Sequence, residues 1–268
     1  MNTEHRTQNT EHRTQNTEHR TQNTEHRTQN TLISLLKKIN HIFHLDLTKN
    51  LKYDRLTHAI LKRKLSLTSN CIDVGCHKGE ILNLMMKYAP GGTHFAFEPI
   101  PYLFQNLKKA FGESVNLYPY ALAERQGETT FRHVKNAPAY SGILQRKYDI
   151  PNPDIEEIQV EMKTLDEIIP ENIHIDLIKI DVEGGEFGVL KGAERILLRD
   201  HPVIIFECGL GASDYYGTKP GDLFVFFTTK CGMNIYSLQS YLSNCKPFSI
   251  SEFEACFQSN TEYYFVAN

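Results

Sequence analysis

A strand–turn–helix unit followed by a second strand constrains this chain more than any other feature. Residues Cys71–Val74 form a short apolar run that contains one acid and leads into a turn marked by Gly75 and Gly79. A second apolar run ends on Glu98, nineteen residues after Gly79. Two parallel strands joined by a helix, with glycines at the first crossover and an acid at the second strand tip, are typical of the nucleotide-binding half of a doubly wound sheet.

The spacing of the glycines indicates which nucleotide is bound. A dinucleotide fold uses the pattern G-x-G-x-x-G, so that a pyrophosphate can rest on a helix N-terminus. Here three residues separate Gly75 from Gly79, and Asp73 precedes the first glycine by two positions. A carboxylate there would repel a pyrophosphate but suits the ammonium of a bound amino acid. The pattern therefore predicts S-adenosylmethionine as the cofactor, with Asp73, Gly75, Gly79 and Glu98 around its ammonium and ribose.

The chain carries several further motifs over about residues 70 to 210. The most specific is the Lys-Ile-Asp-Val-Glu-Gly block from Lys179 to Gly184. The others are Ile72 to Gly75 with Gly79, Phe97-Glu98-Pro99, Thr164-Leu165-Asp166, Val189 to Ala193, Pro202 and Phe206-Glu207. Together these segments resemble the FkbM-type S-adenosylmethionine-dependent methyltransferases. The resemblance implies a Rossmann-like core, methyl transfer to a hydroxyl on a sugar or polyketide, and a substrate-side position for Ser141-Gly142.

The predicted fold class is α/β, a Rossmann-like class I methyltransferase with a mostly parallel seven-stranded sheet and helices on both faces. We expect a disordered repeat tail over residues 1–31, a helical segment over 32–69 and the catalytic domain over 70–268. About 240 residues remain after the tail, enough for one α/β domain with a large core.

Past the cofactor half, the pattern predicts a helix over Pro101–Phe111 and a third strand over Val115–Tyr120. Ala121 and Leu122 then fall at the strand end, where we expect the adenine ring. Pro99 is a further candidate cofactor-binding residue. The remaining predicted elements are strands at 129–134, 158–162, 176–181, 203–207, 235–236 and 263–266, helices at 53–64 and 186–198, and an irregular substrate loop at 136–153.

Three acids are the candidate catalytic residues. Asp181, Glu183 and Glu207 follow or end neighbouring predicted strands, and ligands in open α/β sheets bind beyond the carboxyl ends of strands. One acid could be the general base for an attacking hydroxyl, the group could bind a divalent cation, or it could only bind substrate hydroxyls. Because the acids lack a characteristic ligand spacing, we expect no metal. His133, His174 and His201 are candidates by residue type only, and we expect structural roles for them.

The N-terminus carries a separate signal. The heptapeptide Asn-Thr-Glu-His-Arg-Thr-Gln begins at Asn2, Asn9, Asn16 and Asn23, and a fifth copy starts at Asn30. The unit has no apolar residue for a coiled-coil seam, so it is expected to be disordered. One heptanucleotide, AACACAG, read through all three frames encodes this heptapeptide. Because seven is not a multiple of three, slippage by one unit would switch the gene off, which predicts phase-variable expression.

Between the repeat and the core, Leu32, Leu35, Leu36, Ile39, Ile42 and Phe43 recur at helical spacing. This amphipathic helix could make peripheral membrane contact near a glycan pathway, but packing on the catalytic domain is the favoured interpretation.

Composition narrows the partners. The net charge is −3 and no dense Lys/Arg stripe appears, which disfavours a nucleic-acid substrate. None of the six cysteines forms a C-x-x-C pair, so they are expected to be reduced thiols of a cytoplasmic protein. No apolar run is long enough to span a bilayer and no signal peptide is recognised.

The favoured function is therefore O-methylation of a sugar or surface-glycan hydroxyl. Methylation of a nitrogen or carboxylate on a small molecule and a non-catalytic nucleotide-sensing module remain the alternatives. A DNA methyltransferase would need an Asn/Asp-Pro-Pro-aromatic or Pro-Cys motif, and the chain has neither. The oligomeric state does not follow from the sequence.

Overall fold

A seven-stranded sheet forms the centre of the protein, whose computed structural model describes residues 49–268. The repeat tail and the helix predicted between Leu32 and Phe43 lie outside these residues. The strands are β1 Cys71–Val74, β2 His94–Phe97, β3 Asn116–Tyr118, β4 Ala121–Leu122, β5 Gly127–Val134, β6 Ile155–Lys163, β7 Leu177–Ile180, β8 Val203–Glu207, β9 Ile235–Ser237 and β10 Tyr264–Ala267.

The large sheet has the order β3-β2-β1-β7-β8-β10-β9. All its observed pairings are parallel except those of β10, which runs antiparallel to both β8 and β9. The predicted mostly parallel seven-stranded Rossmann-like sheet is confirmed. Since the chain moves outward from β1 to β3 and then returns to β7 on the other side, the order switches between β1 and β7.

Helices cover both faces of this sheet because successive side chains of its buried strands point in opposite directions. Ile178 and Ile180 of β7 pack with the residues of helices 186–191 and 194–200. Leu177 packs on the other face, against helices 49–64 and 80–88. The helices are Lys49–Lys64, Glu80–Tyr88, Pro101–Phe111, Leu165–Ile168, Glu186–Lys191, Glu194–Asp200, Pro220–Val225, Leu238–Leu242 and Ile250–Ser259.

A second sheet of three strands, in the order β4-β6-β5, accommodates the strands predicted outside the basic fold. The predicted third strand is shorter than expected, because Pro119 follows β3 and lacks the N–H that a ladder needs. Ala121 and Leu122 then form β4, which pairs with Met162 and Lys163 of the second sheet.

The helix predicted over residues 186–198 is wrong as one element, since the chain breaks it at Gly192. A Cβ on Gly192 would lie 2.2 Å from the carbonyl oxygen of Ala123, so this position accepts no side chain. The Asp166 carboxylate then accepts hydrogen bonds from the N–H groups of Arg195 and Ile196, at 2.6 and 3.1 Å, and caps the second helix.

We predict that Asp166→Ala lowers the free energy of unfolding by about 1–3 kcal/mol, the range for hydrogen bonds to a charged group. The reason is that two backbone donors at the start of helix 194–200 lose their acceptor. Urea unfolding measures the change, and Glu167→Ala on the exposed side of the same turn is the matched control. Equal losses in both variants would contradict the capping role.

Candidate active site

The site lies where the carboxyl ends of β1, β7 and β8 meet. The register pairs Val74 with Ile180, and the Asp181 N–H donates to the Val74 carbonyl, which brings the residues after β1 and β7 side by side. Since this is the switch in strand order, it is the expected ligand position for an open α/β sheet.

The glycine turn after β1 is fixed by close approach of the backbone. Gly75 has a φ of 71°, and a Cβ there would lie 1.9 Å from the carbonyl oxygen of Asp181. Gly79 has a φ of 77°, and its Cβ would collide with the ring of Phe111 at 2.6 Å. Between them His77 adopts a left-handed φ of 49° and leaves its buried Nε2 without a hydrogen-bond partner among the described residues. A strained residue with an unpaired polar atom fits a ligand-facing turn.

Glu98 joins the glycine turn to β2. Its carboxylate accepts the N–H of His77 at 2.8 Å and the N–H of Ile100 at 2.9 Å. Burial raises the pKa of Glu98 to about 7, although these two N–H donors work against the shift. The structure thus places Glu98 and Pro99 beside the turn, while their contact with a ribose stays a prediction.

Asp73 is completely buried in β1 and faces a cation of the protein itself. Its Oδ1 lies 3.6 Å from Nζ of Lys179, and neither carboxylate oxygen accepts a hydrogen bond from the described residues. Burial raises the pKa of Asp73, and the Lys179 ammonium partly offsets that shift. The predicted contact of Asp73 with the cofactor ammonium stays a prediction, and Lys179 is the partner that the structure shows.

Lys179 is a site residue that the sequence analysis did not single out. Its Nζ lies 3.3 Å from Oδ2 of Asp181 and donates to the Gly75 carbonyl at 3.3 Å. Burial alone would lower the pKa of Lys179, but Asp181 and Asp73 more than offset it and raise that pKa. A useful signal was present: a lysine inside the buried strand Leu-Ile-Lys-Ile needs an acidic partner, and Asp181 follows two residues later on the same face.

The three candidate catalytic acids form one cluster. Asp181, Glu183 and Glu207 each place one carboxylate oxygen within 4.8 Å of the others. The Tyr264 hydroxyl donates to Asp181 at 2.6 Å, and Arg146 forms an ion pair with Glu183. The cluster can accept a proton, bind substrate hydroxyls or supply oxygen ligands to a divalent cation.

Electrostatic surroundings differ sharply within this cluster. Burial works to raise the pKa of Asp181, but the Lys179 ammonium and the Tyr264 hydroxyl lower it below its usual value. Burial raises the pKa of Glu207 well above its usual value, and the charges of Asp181 and Glu186 add to that shift. Two neighbouring carboxyls whose pKa values diverge are suited to different roles.

Glu186 supports the turn that carries Glu183. Its Oε1 accepts the N–H groups of Val182 and Gly184, at 3.0 and 3.1 Å, which holds Glu183 in a left-handed conformation with a φ of 60°. Burial raises the pKa of Glu186 to about 7. The sequence analysis assigned this acid no role.

The predicted substrate loop packs against the acids. A Cβ on Gly142 would lie 3.7 Å from Cβ of Glu183 and 3.1 Å from the hydroxyl of Tyr216. Ser141 is less available, because its buried Oγ accepts the Val134 N–H at 2.9 Å and ties the loop to β5. A substrate contact by either residue stays a prediction.

Two other groups of predicted residues lie apart from the acids. Ala121 is buried in a cluster with Leu103, Phe131 and Val160, and Leu122 is buried against the main core. Their contact with adenine stays a prediction. The histidines have other surroundings: His133 lies against Tyr102, His174 precedes β7, and His201 ends helix 194–200.

Comparison with known proteins gives a consistent result. The family model described as the methyltransferase FkbM domain matches residues 73–235. The 2-O-methyltransferase NoeI of Sinorhizobium fredii is 26% identical over 167 residues, which cover 57% of this chain and 67% of the relative.

Solved structures align more distantly. The FkbM methyltransferase from Methylobacillus flagellatus has a TM-score of 0.48 at 15% identity, over 76% of this chain and 44% of that one. A Streptococcus mutans structure in complex with SAH has a TM-score of 0.42 at 12% identity, over 80% of this chain and 94% of that one. The chain thus spans less than half of the M. flagellatus protein. Among residues 49–268, the helices are too short or too polar to cross a membrane.

We predict that Glu186→Gln makes stability less dependent on pH. In the wild type the pKa of Glu186 rises from its ordinary value of 4.5 to about 7 on folding. Its contribution is therefore complete below about pH 4.5 and is lost as the pH rises toward about 7. Glutamine does not titrate, so this part of the loss should disappear. Urea unfolding across this range measures it, with exposed Glu128→Gln as the control; parallel curves for wild type and Glu186→Gln would contradict the prediction.

Proposed function

We propose, because the chain belongs to the FkbM methyltransferase family, that it transfers a methyl group from S-adenosylmethionine to a hydroxyl of a sugar or surface-glycan precursor. The observation that carries this proposal is the cluster of Asp181, Glu183 and Glu207 beside the glycine turn of β1. A methyl donor over the turn and a hydroxyl over the acids would be held close and in line, and alignment supplies much of the rate of such a reaction.

The donor side has groups that suit S-adenosylmethionine. The unpaired Nε2 of His77 and the carboxylate of Glu98 border the Gly75–Gly79 turn, and both can bond a polar ligand. When bound, the cofactor supplies a methyl group on a sulfonium centre.

The acceptor side suits a polyhydroxylated compound. Arg146 lies over the ring of Tyr140 with 5.0 Å between guanidinium carbon and ring centroid, and Tyr148 meets Tyr140 edge to face. Such half-buried aromatic faces beside carboxylates can hold the apolar face and the hydroxyls of a sugar. The name of the relative NoeI, a 2-O-methyltransferase, supports an oxygen acceptor.

Transfer of radiolabelled methyl from S-adenosylmethionine to a panel of methyl glycosides and glycan extracts tests the function, with mass spectrometry locating the added methyl. Methylation of amines or carboxylates instead would select the small-molecule alternative. Cofactor binding with no transfer to any acceptor would select the nucleotide-sensing alternative. Loss of transfer on addition of a chelator, and its recovery with Mg²⁺, would assign the acids to a metal.

We predict that Glu98→Ala weakens the binding of S-adenosylmethionine by about 1–3 kcal/mol, the range for hydrogen bonds to a charged group. The carboxylate orders the His77 N–H and the start of helix 101–111, and it is the proposed ribose acceptor. Titration calorimetry measures the affinity, circular dichroism checks the fold, and Glu128→Ala is the control. Unchanged affinity in a folded Glu98 variant would remove this residue from the donor site.

Expression of this protein is proposed to be phase-variable, since the identical heptapeptides that begin at Asn2 fit one repeated heptanucleotide. We predict that sequencing the coding tract in many clones finds uninterrupted AACACAG units whose number varies and shifts the frame. A tract of invariant length, or one written in varied synonymous codons, would contradict phase variation and leave the enzymatic proposal unchanged.

A further inference from the structure

The three acids at the tips of β7 and β8 are not equivalent. Asp181 is held by the Lys179 ammonium at 3.3 Å and by the Tyr264 hydroxyl at 2.6 Å. Glu183 is held by the Arg146 guanidinium. Within residues 49–268, the carboxyl group of Glu207 accepts no hydrogen bond from a side chain and forms no ion pair. Two of the acids are therefore neutralised in place, and the third is not.

We propose that Glu207 is the general base that takes the proton of the acceptor hydroxyl, and that Tyr264 and Lys179 are positioning residues that hold Asp181 as a fixed carboxylate beside it. This inference rests on the methyl transfer proposed above. It assigns separate roles to three acids that the proposed function does not distinguish. It also gives a role to Tyr264 of β10.

Basicity favours Glu207 over its neighbours. A carboxylate paired with a cation is a weak base, because its partner stabilises the ionised form that proton uptake would remove. Catalysis by a general base is most effective when its pKa lies near the working pH. Burial raises the pKa of Glu207 well above its usual value, whereas the ion pair and hydrogen bond lower the pKa of Asp181.

The groups around Glu207 act in both directions. The carboxylates of Asp181, after β7, and Glu186, at the start of helix 186–191, raise its proton affinity. The cations of Lys179, on β7, and Arg146, in the loop between β5 and β6, lower it. From β10, Tyr264 is the register partner of Glu207, and Tyr263 precedes it in the chain. The groups are Asp181, Glu183, Glu186, Arg146, Lys179, Cys208, Tyr263 and Tyr264.

Glu207 alone accounts for the proton that the acceptor hydroxyl loses. The acceptor oxygen forms its bond to the methyl carbon as the methyl–sulfur bond breaks, and the bonding pair stays on sulfur to give a neutral thioether. The hydroxyl proton passes to the ionised Glu207 carboxylate, and the neutral Glu207 then returns that proton to water. Asp181 keeps its charge throughout and favours proton uptake by its neighbour.

The test reads the Glu207 proton directly. Infrared difference spectroscopy of the full chain, without cofactor or acceptor, follows the carbonyl band of protonated carboxyl groups as the pH rises. We predict that one such band disappears in the wild type as the pH rises, with a midpoint pH above the ordinary range of carboxyl groups. Glu207→Gln should lack this band, and Glu183→Gln should retain it. Tyr264→Phe should move that midpoint to higher pH, because the Asp181 charge is then less neutralised, and Tyr236→Phe on the adjacent strand should leave it in place.

The reaction supplies a second readout. With a methyl glycoside that the transfer assay shows to be methylated, Glu207→Gln should lower kcat by about 10²–10⁴-fold, with little change in donor affinity. The rise of kcat with pH should move upward in Tyr264→Phe but not in Tyr236→Phe. If Glu207→Gln keeps the wild-type dependence of kcat on pH, or keeps every infrared band of the wild type, the inference is overturned, but the proposed methyl transfer is not. Absence of transfer to any acceptor would instead sink the proposed function, whereas the infrared band would persist.

Discussion

A buried ammonium between two carboxylates is the interaction on which the rest of the site depends. Lys179 contacts Asp73 on β1, Asp181 after β7 and the Gly75 carbonyl, so one side chain joins both strands at the switch point. Removing one partner of a buried ion pair costs about 3–5 kcal/mol, because a charge is left uncompensated in a medium of low polarity. Lys179 therefore links the glycine turn directly to Asp181 of the acid cluster.

This cation also separates the chemistry of neighbouring acids. The Lys179 ammonium favours the ionised form of Asp181, whereas no cation within residues 49–268 forms an ion pair with Glu207 at the end of β8. The antiparallel strand β10 completes the arrangement, because its register places Tyr264 next to Glu207 while the hydroxyl reaches Asp181. A strand near the end of the chain thus supplies a polar contact at the centre of the sheet.

The local sequence pattern was enough to predict a strand and a helix next to the glycine turn. Strand Cys71–Val74 and helix Pro101–Phe111 lie at the positions that the apolar runs, the glycines and a proline at the start of the helix predicted. Parallel strands end at one edge, so the clustering of Asp181 and Glu207 also followed from the sequence. The break at Gly192 did not, because it depends on contact with Ala123, far away in the chain.

The partners of the acids could not be predicted for the same reason. Tyr264 reaches Asp181 only through the register of β10 on β8, and Arg146 reaches Glu183 only through the path of an irregular loop. Neither contact has a local sequence signal. Lys179 is the exception, since a lysine inside a buried strand calls for a carboxylate nearby.

The proposed donor and acceptor sides are built from different parts of the fold, which has a consequence for the proposed specificity. The glycine turn of the proposed donor side is fixed by the close backbone approach at Gly75 and by the Glu98 carboxylate, which accepts the His77 N–H. The proposed acceptor side is the loop between β5 and β6. This loop is tied to β5 by Ser141, and its Leu144 N–H donates to the Tyr216 hydroxyl of the Ser213–Tyr216 turn. Under the proposed function, changes in that loop would alter the acceptor while the glycine turn and the Lys179 ion pairs keep their geometry.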